Sequence, residues 1–198
     1  MRYRRSFLFV VACWAWMAAE AQDFAGFRQA FWQQLSESCR PGLRWEKSVT
    51  ELSGDAGPRT ESRTFDLDCR RGWAKSGNDS INLSPEEFAL LFEYAYDNAN
   101  YAPYMVLSRN GMGVSAKVKP GQEQESKLQL QRFEVDPVSG RLQFAEARIW
   151  KDSPLYELKV HISVWFDPSG HYLRHEIETK TDVLLGGELH TVIKARIL

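Results

Sequence analysis

Four histidines, His161, His171, His175 and His190, are the side chains of this sequence with the widest chemical range. Imidazole ligates zinc, carries protons near neutral pH, or stays neutral as a paired donor and acceptor. His171 and His175 have HxxxH spacing, which on one helix face would suit a metal ion. Here the flanking residues alternate with period two, so the spacing belongs to a strand. Four strand residues span about 13 Å, too far for both rings to reach one ion. No metal site is expected. The sequence also lacks GxSxG, HExxH, a P-loop and GxGxxG, and its carboxylates are scattered among Lys and Arg. No catalytic residue and no cofactor can be assigned, and an enzyme is not expected.

The histidines lie in a closing meander, residues 141–198. Tyr156, Leu158, Val160, Ile162, Val164 and Phe166 alternate with polar neighbours, which gives a strand with one buried face. Asp167-Pro168-Ser169-Gly170 reads as a four-residue turn. That turn sets Val164 against Leu173, Ile162 against His175 and Val160 against Ile177 on the inner face. Trp165 then meets Tyr172 outside, His161 meets Glu176 and Lys159 meets Glu178. His175 points inward beside Ile162, as a core-edge histidine or as a polar group in a ligand cavity. The next turn pairs Val183 with Leu189 and Glu178 with Lys194. The inner face is apolar near Asp167 and carries Thr179, Thr181 and Thr191 toward its other end.

Two amphipathic helices must cover that face. Asp23 can cap a helix from Phe24 to about Ser38, with Phe24, Phe27, Phe31 and Leu35 on one stripe. Ser84, Pro85 and Glu87 form a capping box at the start of a second helix, whose face is Phe88, Leu91, Phe92 and Ala95. Strands are expected over 43–52, 63–70, 104–108, 113–119, 128–135 and 141–151, with Asn110-Gly111 as a tight turn. A change of apolar parity between Leu130 and Phe133 suggests a bulge. Residues 71–82 read as a loop. The expectation is an α+β, mainly-β fold of eight or nine strands. It is a curved, largely antiparallel sheet or unclosed barrel, with the helices on its concave face.

Aromatic stripes of this kind either form a solid core or leave a greasy cavity against the sheet. The cavity candidates are Phe27, Phe31, Phe88, Phe92, Val160, Ile162, Val164, His175 and Ile177. An aromatic opening helix (Phe27-Arg28-Gln29-Ala30-Phe31), strands, an inserted helix and a closing meander together resemble the LolA/LppX-like periplasmic lipid and lipoprotein carriers. The resemblance implies an unclosed barrel that holds acyl chains under a helical lid. It points to a non-enzymatic binding protein for a lipid or other apolar ligand. The other reading is an interaction or structural domain with a solid core.

The N-terminus reads as an export signal. Arg2, Arg4 and Arg5 precede an apolar run from Ser6 to Ala18, and Ala19-Glu20-Ala21 is a small-x-small cleavage site. Val10-Val11-Ala12-Cys13 also resembles a lipobox, which would anchor the chain at Cys13. Cleavage after Ala21 leaves 177 residues as one extracytoplasmic domain, with 22 basic and 25 acidic side chains. No basic patch stands out, so nucleic acid is not an expected partner, while peripheral membrane contact fits an exported carrier. Cys39 and Cys69 remain, and in an oxidising compartment they are expected to pair. That disulfide would close a loop of about 30 residues, worth roughly 3–4 kcal/mol.

Overall fold

The computed structural model describes residues 24–38, 42–53, 57–68, 73–76, 79–82, 86–96, 98–184 and 186–198. Residues 1–21, Cys39, Cys69, Ser84 and Pro85 lie outside these, and with them the signal peptide, the disulfide and the capping box. Helix α1 covers residues 24–38, and α2 is Glu86–Glu93. A short 3-10 turn, Ala102–Tyr104, leads into β5.

Among the described residues eleven strands form one sheet. They are β1 Arg44–Glu51, β2 Arg59–Asp68, β3 Trp73–Ser76, β4 Asp79–Asn82, β5 Met105–Asn110, β6 Gly113–Val118, β7 Leu128–Val135, β8 Leu142–Asp152, β9 Tyr156–Phe166, β10 Tyr172–Val183 and β11 Gly187–Ile197. The order is β4-β3-β2-β1-β11-β10-β9-β8-β7-β6-β5. Each neighbouring pair runs antiparallel. Two meanders, β1–β4 and β5–β11, are therefore joined along β1 and β11. Strands β4 and β5 are the two edges, and the sheet stays open between them. This is the expected α+β, mainly-β architecture, a curved open sheet with two helices against its inner face.

Two strands more than expected come from residues 71–82, read as a loop but forming the β3–β4 hairpin. Four-residue strands at an edge are held by backbone pairing and need no apolar alternation, so no periodicity announces them. Strand β2 also begins at Arg59, four positions earlier than expected. Polar residues there pair with β1 in full register, Glu51 opposite Arg59.

Turn geometry corrects the expected registers. The β9–β10 hairpin closes with three loop residues. The Asp167 amide donates to His171 O at 2.8 Å, and the His171 amide donates to Asp167 Oδ1 at 2.9 Å. Gly170 supplies the left-handed φ of 82° that a three-residue loop requires. The register then shifts between Tyr172 and Arg174. Leu173 is the bulged residue and is 45% exposed, while Tyr172 turns into the core. The turn and the bulge displace the strand bodies by two residues in all. Two residues is one full pleat period, so the faces survive although the partners change. His175 stands opposite Val164, Ile177 opposite Ile162, and Thr179 opposite Val160. Outside, Glu178 faces His161 and Lys180 faces Lys159.

Similar two-residue corrections apply elsewhere. Val183 pairs with Gly187 and Glu176 with Lys194. In the β5–β6 hairpin Gly111-Met112 is the turn, with Gly111 at φ 61° and Asn110 paired to Gly113. A positive φ at the first turn position and not the second is the type II′ pattern. The ladder of β7 shifts register between Glu134 and Val135 and also between Leu128 and Leu130, and this last shift lies nearer the strand start than the expected bulge. It turns Gln131, not Leu130, into the core.

Candidate functional site

Aromatic side chains from both helices meet the sheet at one place. Phe31 of α1 is completely buried. It makes edge contacts with Phe88 and Phe92 of α2 and with Phe166 of β9, at centroid distances of 5.5, 5.3 and 5.6 Å. Phe27 and Phe92 both stack on Phe133 of β7, at 5.1 and 6.1 Å. Beneath them lie Val160, Ile162, Val164 and Ile177, all buried in the same cluster as Phe31 and Phe88. The fold thus brings together eight of the nine cavity candidates as one packed layer, and the ninth, His175, sits at its rim.

His175 is buried among rings, 4.9 Å from Phe88, 5.7 Å from Trp45 and 6.0 Å from Tyr172. Its Nδ1 lies 2.8 Å from the Tyr172 hydroxyl, which is also 3.3 Å from Ala195 O. If the hydroxyl proton goes to Ala195, Nδ1 must carry its own proton and donate to Tyr172. The bulge at Leu173 makes this contact possible by turning Tyr172 inward. The other histidines each meet a carboxylate: His161 meets Glu146, His190 meets Glu178, and His171 meets Asp167.

Two buried glutamines, not singled out in the sequence, seat the helices. Gln34 of α1 donates from Nε2 to Leu142 O at 2.8 Å and to Gly170 O at 3.1 Å, and its Oε1 accepts from the Leu142 amide at 2.8 Å. Gln131 of β7 donates to Leu91 O at 2.6 Å and accepts from the Tyr96 amide at 2.9 Å, which ties the end of α2 to the sheet. A carboxamide offers a donor and an acceptor side by side, so each can match a backbone edge. The available signal was a polar residue on an apolar face, at the helix-periodic position Phe27-Phe31-Gln34 in one case.

Toward the β8–β9 and β10–β11 turns the inner face loses its cover. Tyr156, Val183 and Leu189 are exposed there, and Leu158, Thr179, Thr181, Thr191 and Ile193 are half-buried. Tyr156 is paired with Val183, Leu158 with Thr181, and Thr181 with Leu189, so these side chains form one continuous strip. Leu155 and Leu184, the turn residues beyond it, are also exposed and joined by a backbone hydrogen bond of 3.1 Å. At the β8 side Lys151 reaches over the Tyr94 ring at 4.8 Å. A hydrogen bond to the Tyr94 hydroxyl holds the Lys151 ammonium above its ordinary pKa, and the Glu93 charge adds to this. The strip can bury an apolar chain, and Lys151 marks its polar limit.

No family model matches the sequence, and no curated protein does. Among solved structures the chain is similar to a LolA superfamily protein from Nitrosomonas europaea, at 12% identity and a TM-score of 0.26. The match covers 84% of this chain and 90% of that one. It is a likeness of outline, in the superfamily that the layout of the sequence resembles, and it supports no inference about residues or ligand.

Proposed function

We propose that the chain is an exported, non-enzymatic binding protein for a lipid or another apolar ligand. The observation that carries this is the uncovered inner strip. An open β-sheet that leaves Tyr156, Leu158, Val183, Leu189 and Ile193 in reach of solvent has a standing gain from covering them, about 25 cal/mol per Å² of apolar area. The strip is continuous with Val160 and Ile177 under the helices. An acyl chain laid on it would run up to the edge of the packed layer that Phe31, Phe88 and Phe92 form with the sheet. Export rests on residues 1–21, with cleavage after Ala21, and the Cys39–Cys69 disulfide belongs to the same reading.

A second reading is an interaction domain with no small-molecule ligand. The close ring packing around Phe31 and Phe133 favours it, since that part of the inner face is filled. Binding of a fluorescent fatty acid to the mature chain separates the two. Saturable binding that Leu158→Asp and Val183→Asp abolish, and Val106→Asp on the outer face of β5 leaves intact, supports the carrier. Absence of saturable binding, or equal loss in all three variants at unchanged folding, overturns it.

A further inference from the structure

The outer face of the sheet, away from the helices, holds a groove of about 550 Å³ that the proposed apolar site does not use. Its walls form a grid of two rows on three strands. One row is Lys180, Lys159 and Trp150; the next is Glu178, His161 and Arg148. The volume falls within the range of small-molecule sites.

Three features of this grid point to an anionic occupant. Lys159 and Lys180 stand directly opposite one another, and like charges so placed are unfavourable in an antiparallel pair. Each leans away along its own strand, Lys159 to Glu157 at 3.0 Å and Lys180 to Glu178 at 3.2 Å. Both lysines are exposed and their pairs with the half-buried carboxylates are solvent-screened, so an incoming oxyanion can draw the two ammonium groups together at small cost.

Arg148 is the second feature. Its Nε and Nη2 bind Glu146 at 3.1 and 3.0 Å, and the Glu146 side chain is only 3% exposed. The buried carboxylate fixes the guanidinium at the edge of the groove with donors to spare, because guanidinium carries five N–H groups. His161 is fixed by the same carboxylate at 2.8 Å.

Trp150 is the third. Its indole Nε1 is buried and has no hydrogen-bond partner among the described residues. A buried donor without an acceptor is a standing cost that a ligand oxygen would remove. The Lys159 ammonium lies over this ring, 5.9 Å from its centroid, so an anion held by Lys159 sits beside the indole.

We propose that this outer groove binds a phosphate-type oxyanion between Lys159, Lys180 and Arg148, with the Trp150 indole as a further donor. The anion can be free phosphate or the phosphate of a lipid headgroup. In the second case the outer face, and not the apolar strip, would rest on a membrane surface.

The test follows the Trp150 indole N–H resonance of the mature chain, assigned with Trp150→Phe. Inorganic phosphate, pyrophosphate, and vesicles of phosphatidylcholine with or without phosphatidic acid are titrated in turn. The expected result is a saturable downfield shift that weakens with added salt. It is lost in Lys159→Gln/Lys180→Gln and in Lys180→Gln alone, at unchanged thermal midpoint. A shift with free phosphate or pyrophosphate identifies the soluble anion; a shift only with phosphatidic acid vesicles identifies the headgroup. No saturable shift with any probe, or one that survives in Lys180→Gln, overturns the proposal. None of these outcomes depends on fatty-acid binding at the inner face.

Discussion

The carboxamide of Gln34 and the backbone of Leu142 are joined by two hydrogen bonds of 2.8 Å, one in each direction, across 108 residues of sequence. The side chain acts as a short strand edge and completes the ladder where β8 begins. A second donor bond reaches Gly170 O. One residue of α1 thus holds the helix to β8 and to the turn after β9.

Gln34→Ala removes all three bonds and leaves a buried amide and two carbonyls without this partner. Each unsatisfied buried group costs about 1–3 kcal/mol, and relaxation recovers part of it. The expected loss is about 3 kcal/mol, read from the urea midpoint at unchanged m-value. Gln34→Glu is expected to be no better. It restores the acceptor for the Leu142 amide but turns a carboxylate toward two carbonyl oxygens.

Glu146 on the outer face sets a pH dependence. Burial pushes its carboxyl up, but the hydrogen bond from His161 and the charges of Arg132 and Arg148 outweigh burial and hold it below its ordinary value of 4.5. A carboxyl depressed in the folded state contributes stability above its unfolded pKa and loses it as pH falls through the folded one. The contribution is therefore intact above about pH 4.5 and declines below it. Glu146→Gln should flatten the acid limb of a stability-against-pH curve while costing stability at neutral pH. Glu146→Ala should cost about 1–2 kcal/mol at pH 7, through the lost charge-assisted hydrogen bonds, since Arg132 and Arg148 are largely exposed and rehydrate. Parallel acid limbs for wild type and Glu146→Gln would refute the assignment.

The faces of the meander were legible in the sequence except at the bulge, where Leu173, expected inside, is exposed and Tyr172, expected outside, is buried; which residue each opposes was not legible. Alternation with period two places Val160, Ile162, Val164, His175 and Ile177 inside, and the structure has them there. Partner identity depends on how many residues the turn consumes. Asp167 and Gly170 close the turn one residue earlier than their types alone suggest, and the Leu173 bulge adds one more. Both helices were legible from Phe27, Phe31, Phe88 and Phe92, because aromatic spacing reports a buried stripe. Gln34 and Gln131 were not, since a glutamine on an apolar face has no partner until the fold brings one. The lysine pair at the outer groove was hidden for the same reason: the expected register set Lys159 against Glu178.

Neighbouring residues of β9 test the faces directly. Val160 is buried between Ile149 and Thr179, and Val160→Asp places a carboxylate there without a partner. The expected cost is several kcal/mol, sufficient to prevent folding at ambient temperature. Lys159→Asp changes an exposed side chain that faces Lys180. It gains that lysine as a counter-charge, loses Glu157, and should stay within about 1 kcal/mol of wild type. Denaturant midpoints of the two variants give the comparison, and equal losses would mean that Val160 and Lys159 do not lie on opposite faces of the sheet.

Val160 also marks where the cover of the inner face ends. Its neighbour two residues on, Ile162, is fully buried, while Leu158 on the other side is half-buried and opens onto the strip. A phenylalanine at 160 can direct its ring toward that strip, so Val160→Phe should fold with a midpoint within about 1 kcal/mol of wild type. The same ring would then occupy the space that the carrier reading gives to an acyl chain, and fatty-acid binding should weaken. Val164 has no such outlet, being fully buried between Ala145 and His175. Val164→Phe overpacks the core and should cost about 1–3 kcal/mol. Equal stability losses in the two variants would mean that the packed layer extends past Val160. A stable Val160→Phe with unaltered fatty-acid binding would move the ligand off this edge of the strip.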